Sequence, residues 1–362
     1  RLQPVATSHP NIINVFQDTE GNIWVGTRGG GLNRLSPRAL QLASLADGLP
    51  FAAVQSACED KSGNLWAVGQ NGALACRSNS AWRLVSNNSE SGAGGAVCVT
   101  AGAAGSVLVG TRDRGLFRYQ DGALAALPLN RQLTNQSVHA LHCDERGNLW
   151  IALNSFVARF RPGDGTVRHF ALPTGASDVR TIVQDASGDV WMGTTSDGLL
   201  LRLHGDMLSN ETTNLMQQAR HIRCLQATPD GSLWFGFAGQ GLGRLKHGRF
   251  FCYRATDGLW DEFISHVLPD DQGGLWLAGN RGVYQLAQDE LEAVAEGRAA
   301  RMKPRVFGRG EGVPNLQATF GVSPAAARTA DGRLLVPTLT GLLTIEPRLL
   351  RKNSIPPPVV IE

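Results

Sequence analysis

Cysteine, tyrosine, charge of one sign and long apolar runs are all scarce in this chain of 362 residues. Each scarcity removes a class of protein. Six cysteines (Cys58, Cys76, Cys98, Cys143, Cys224 and Cys252), with no CxxC among them, are too sparse for a disulfide scaffold. They read as small buried apolar groups. No apolar run approaches the ~20 residues that span a bilayer, so the segment is not expected to insert into a membrane. Lys+Arg total 34 against 31 Asp+Glu, and the small excess is scattered, which argues against nucleic acid as a partner. The sequence opens at Arg1 without a charged n-region or apolar h-region, placing any signal peptide outside this segment. A P-loop, a dinucleotide fingerprint, HExxH and GxSxG are all missing, and no cofactor, catalytic set or metal site is assigned.

Glycine and tryptophan are what the chain has, 43 and 8 of them. The motif Asp-x-x-Gly-Asn-x-Trp at 18–24 returns at 60–66 and 144–150, and close variants end on Trp191, Trp234 and Trp276. Two degenerate copies carry Leu108 and Leu335 at the Trp position. The anchors at 24, 66, 108, 150, 191, 234, 276 and 335 are 41–43 residues apart until the last interval of 59. Within a unit, apolar β-branched stretches alternate with Gly-rich turns, as at 12–17, 23–27, 32–35 and 40–45. Four short strands and their turns fill ~42 residues, the length of a propeller blade, and the pattern does not suit helices. The expected fold is all-β: a β-propeller of four-stranded antiparallel blades with eight sequence repeats.

Trp24, Trp66, Trp150, Trp191, Trp234 and Trp276 share one phase of the repeat, as packing residues between blades must. The recurring Asp18, Asp60, Asp144, Asp185 and Asp270 read as caps of hairpin turns. Only Trp82 and Trp260 are out of phase. The long last interval holds a helix-favouring run near 289–297 and a Gly-rich loop. The propeller is expected to occupy 1–354, with residues 1–6 supplying the strand that closes the ring. Residues 355–362, opening on a Pro triplet, read as a stiff linker into a following domain.

The run from Gly21 to Leu35 resembles the repeat of the two-component regulator propeller family, and the likeness extends over almost the whole chain. The 289–297 insertion, the strand about Phe307 and the stretch from Val336 to Gly341 are similar to the closing blade of such sensors. The resemblance implies an extracytoplasmic, periplasmic sensor region of an inner-membrane protein, often with two consecutive propellers of seven blades each. It also implies a following β-sandwich, a membrane helix and a cytoplasmic kinase, cyclase or DNA-binding output.

Ligand sites of propellers lie on the face bearing the loops between second and third strands. Four residues beyond the anchors, that face is expected to carry Arg28, Gln70, Arg112 and Asn154, with Arg281 one residue further in its repeat and Trp260 in a blade-to-blade loop. Guanidinium and amide groups suit a polar or anionic ligand, and Trp260 offers a stacking surface. His139 and His142 lie three apart on one strand and face opposite ways, so they do not chelate together. The expected function is sensing of a polar or acidic small molecule or saccharide that is bound without being transformed. Signalling would run through the β-sandwich or a homodimer. The alternatives are a propeller enzyme of lyase or lactonase type and a passive scaffold for protein contacts.

Overall fold

The computed structural model describes residues 7–18, 22–35, 38–87, 95–133, 136–216, 220–308 and 316–350. Among them are eight antiparallel sheets, seven of four strands and one of three. Six four-stranded blades follow one another in sequence: blade 1 (54–86), blade 2 (96–126), blade 3 (140–171), blade 4 (179–210), blade 5 (222–253) and blade 6 (264–307). Blade 7 combines Ala327–Arg328, Leu334–Thr338 and Gly341–Ile345 with Leu40–Ala43 as its outermost strand. The fold expected from the repeat is therefore present.

Closure differs from expectation. Residues 1–6 lie outside the described residues. The strand that closes blade 7 is Leu40–Ala43, pairing Leu342 with Ala43 and Ile345 with Leu40. Blade 7 then packs directly on blade 1, where Leu335, Leu342 and Ala327 share a core with Val54, Ala57 and Leu65. The ring has seven blades. The eighth repeat is the three-stranded sheet of Ile12–Gln17, Ile23–Thr27 and Gly31–Leu35, which contributes to none of the core clusters among the described residues. Counting anchors could not reveal this, because Leu40–Ala43 follows the first repeat in sequence and joins the last in space.

Each blade buries apolar side chains against both neighbours. Trp66, Trp150, Trp191, Trp234 and Trp276 are all buried between blades. Trp24 carries the same motif but is only half-buried, since its sheet has no neighbouring blade. The recurring Asp does more than cap turns. Asp60 accepts from the Ser62 and Asn64 amides through Oδ1, while its Oδ2 accepts from the Trp66 indole N–H at 2.8 Å. The same Asp–indole bond, six residues apart, joins Asp18 to Trp24, Asp144 to Trp150, Asp185 to Trp191 and Asp270 to Trp276. Burial alone would raise these carboxyls, but the indole and amide bonds outweigh it and hold Asp60 and Asp144 below the usual range.

The long last interval holds two structures. A helix, Gln288–Ala295, packs Leu291 and Val294 into the core between blades 5 and 6, and its Leu291 carbonyl accepts from the Tyr253 hydroxyl at 2.9 Å. The residues from 316 to 326 then cross the mouth of the central channel. Ala318 N–H donates to the Gly279 carbonyl of blade 6, and the Thr319 hydroxyl donates to the Val54 carbonyl of blade 1. Ser323 exchanges backbone bonds with His139 and Leu141 of blade 3, and the Ala57 amide donates to the Ala325 carbonyl. The linker expected at 355–362 lies outside the described residues. Cys58, Cys76 and Cys98 are buried as expected, whereas Cys143 is exposed and Cys224 and Cys252 are partly so; all six are free thiols.

Candidate functional site

The first strand of every blade lines the channel, and its register decides what faces the mouth. In five ring blades that strand has an irregularity beside its first residues, leaving Gln55, Val97, Arg180, Arg223 and Ser265 as the extra residue. A bulge of this kind re-aims a side chain and leaves it outside the ladder. His139 holds the equivalent place in blade 3, immediately before strand Ala140–Cys143. These six positions all fall eleven residues before an anchor, so the repeat's own phase marks them in the sequence although their residue types differ.

Two guanidinium groups and an imidazole thereby meet the crossing segment. Arg180 donates through Nε to Asp178 at 2.6 Å and through Nη1 to the Gly321 carbonyl at 3.1 Å. Arg223 is only 8% exposed; its Nη1 donates to Asn280 Oδ1 at 3.1 Å. Its guanidinium lies 3.8 Å from the Phe320 ring centroid and 5.2 Å from that of Phe263, between two partly exposed aromatic rings. Burial draws Arg223 below its ordinary value. His139 shares a 2.6 Å hydrogen bond with Asn154. Burial and then the Arg180 charge lower its pKa, keeping the ring neutral at pH 7.

The loops between second and third strands surround this mouth, and their backbones are fixed in a repeating way. The amides of Gln70, Arg112 and Ala238 donate to the carbonyls of Ala53, Gly95 and His221. The side chains at these positions are thus released from the fold. Between blades 1 and 2 the loops enclose a polar recess of about 380 Å³ lined by Gln70, Asn71, Gly72, Gly95, Arg112, Asp113 and Arg114. The Arg112 guanidinium is exposed and makes no ion pair with a described residue.

Of the six residues expected at the site, the structure brings together Gln70 and Arg112 in this recess. Asn154 supports His139 at the mouth. Arg281 and Trp260 pair with each other: Arg281 lies 5.1 Å from the Trp260 ring centroid and donates to the Trp260 carbonyl. Trp260 is partly exposed and also packs edge-on against Tyr284. Arg28 makes the same local backbone bond, to Asn11, but sits on the first sheet and is no member of the ring's rim. Among the described residues, no group of three or more His, Cys, Asp or Glu is placed to hold a metal ion.

The fold and this face define a seven-bladed propeller with a plugged channel and a polar loop face. Residues 8–29 and 132–155 match the two component regulator propeller family model, so these two segments carry the repeat that the motif indicated. No curated protein matches the chain in sequence. Among solved structures it is similar to the extracellular domain of the putative hybrid two component system BT3049 from B. thetaiotaomicron, with a TM-score of 0.71 at 20% identity, over 93% of this chain and 45% of that one. The extracellular domain of the putative one component system BT4673 from the same organism gives a TM-score of 0.60 at 14% identity, over 94% of this chain and 46% of that one. A catalytically inactive virginiamycin B lyase from Staphylococcus aureus with quinupristin gives 0.63 at 12% identity, over 84% and 98% of the two chains. At these identities the likeness is one of fold. The chain spans under half the length of the two regulators' domains. No helix among its described residues is long and apolar enough to cross a membrane.

Proposed function

We propose that this chain is the ligand-sensing propeller of a transmembrane signal-transduction regulator, working outside the cytoplasm. It binds a polar or acidic small molecule or saccharide on the loop face and does not transform it. The family repeats and the likeness to extracellular domains of regulators support this reading. The observation that carries it is the recess between blades 1 and 2, where Arg112 is exposed and forms no ion pair with a described residue, beside the amide of Gln70. A guanidinium fork matches carboxylate or sulfate in two parallel hydrogen bonds, while Gln70 reads hydroxyls. Bound ligand would bias how the ring meets a following β-sandwich or a dimer mate, and so a distant output. The first sheet fits the same scheme: with its inner strand exposed, it has the form of a final blade belonging to a preceding ring.

Calorimetry with acidic oligosaccharides, such as oligogalacturonides, and with their neutral counterparts tests the proposal. The acidic series should bind, and Arg112→Ala should weaken binding by about tenfold or more while the melting temperature stays unchanged. Equal binding of acidic and neutral sugars, or binding indifferent to Arg112→Ala, would place the ligand elsewhere. Conversion of the bound sugar to product would favour the enzyme reading.

A further inference from the structure

Beneath the crossing segment the channel continues as a second cavity of about 280 Å³, lined by inner-strand residues of blades 2 to 6 and by residues 322–326. Its lining includes Cys143, the last residue of strand Ala140–Cys143, which is exposed. Few buried side-chain polar atoms among the described residues lack a hydrogen-bond partner, yet three of them belong to residues lining this one cavity: His142 Nε2, Arg223 Nε and His266 Nε2. Leaving a buried polar group unpaired is costly, so three around one space mark a place where something else supplies the partner. Arg223 sharpens the point. Its guanidinium is buried and forms no ion pair with a described residue, its bonds going only to the neutral Asn280 and Ser265. The Asp261 carboxylate acts on it from beyond ion-pair distance, which compensates a buried cation less than a direct pair does.

We propose that the lower channel is a binding site for a small oxyanion, a short carboxylate or an inorganic anion such as phosphate, with Arg223 as its counter-charge, the His142 imidazole donating to it and His266 as a neutral wall. The volume suits it: at ~30 Å³ per water the space holds several waters or one compact anion, and no oligosaccharide. The crossing segment separates this site from the loop face, so the proposal does not depend on the recess at Arg112. Access is from the side carrying the hairpins between first and second strands, past Cys143.

That position of Cys143 supplies the readout. The 362-residue chain is treated with iodoacetamide in the presence of acetate, malonate or phosphate, and alkylation of each cysteine is followed by mass spectrometry. At least one of these anions should protect Cys143, and the series distinguishes carboxylate from phosphate. Arg223→Met, which keeps the bulk and removes the charge, should weaken protection by about tenfold or more, whereas Arg112→Ala should leave it intact. If Arg223→Met does not fold, His142→Phe, which fills the cavity from its wall, should abolish protection instead. Alkylation of Cys143 unaffected by all three anions, or protection that persists in the folded Arg223→Met or His142→Phe protein, would overturn the proposal.

Discussion

The first sheet and blade 1 are built from the same motif, and they end in opposite environments. Both pair a Trp indole with an Asp six residues earlier, and both have an irregular register near the start of the inner strand. Yet Ile13 and Val15 of strand Ile12–Gln17 are 68% and 57% exposed, while Ala57, at the place of Val15, is fully buried. Trp24 stacks on Phe16 of its own sheet, whereas Trp66 packs on Tyr119 of the next blade. The repeat specifies hairpins, turn caps and the Asp–indole bond locally. Burial comes from having a neighbour on each side, and only seven units have one.

The comparison can be broken most severely at the closing strand. A chain beginning at residue 38 should melt like the intact protein. One beginning at residue 45 loses Leu40–Ala43, exposes the edge of Gly341–Ile345 and should lose roughly 5 kcal/mol in denaturant unfolding. It should also associate through the open edge. Next in size, Trp150→Ala empties a site between blades 3 and 4 and should cost about 3–5 kcal/mol. Trp24→Ala should change the ring's stability by no more than about 0.5 kcal/mol. Trp82, on the outer strand of blade 1 and only partly buried, should fall between them. Asp144→Ala removes a turn cap and strands a buried indole N–H, for an expected loss of about 2–3 kcal/mol.

The remaining effects are in the pH dependence. Asp60 and Asp144 are held below the ordinary carboxylate value of 3.8, so their contribution is complete above that pH and disappears as pH falls through the lowered folded values. His266 acts at higher pH. Burial lowers it from 6.5 to about 4, so the unfolded chain takes up a proton that the folded one refuses between those values. Stability should therefore decline as pH falls from 6.5 towards 4, and His266→Gln should flatten that part of the profile.

Most of the ring was legible in the sequence because a blade's turn chemistry and its anchors are local and recur at a fixed interval. Three things were not. The closing strand looks like an ordinary fourth strand of the first unit, and only its pairing with Gly341–Ile345 reveals otherwise. The crossing segment at 316–326 belongs to no repeat, and it is held by hydrogen bonds to blades far apart in sequence. The channel mouth was hidden for a different reason: Arg180 and Arg223 look like polar residues of a strand until the bulge turns them inward. The rim was half legible. Gln70 and Arg112 converge because their blades are adjacent, while Arg28 sits on the wrong side of the closing strand.

Hydrogen exchange of the intact chain, comparing strand Ile12–Gln17 with Val54–Glu59 and Leu40–Ala43, tests the seven-blade ring most directly. Leu40–Ala43 and Val54–Glu59 should exchange together, with the global protection of the ring, and Ile12–Gln17 should exchange much faster. Protection of Ile12–Gln17 equal to that of Val54–Glu59, with rapid exchange at Leu40–Ala43, would mean that the first sheet is a true blade and that the ring closes elsewhere.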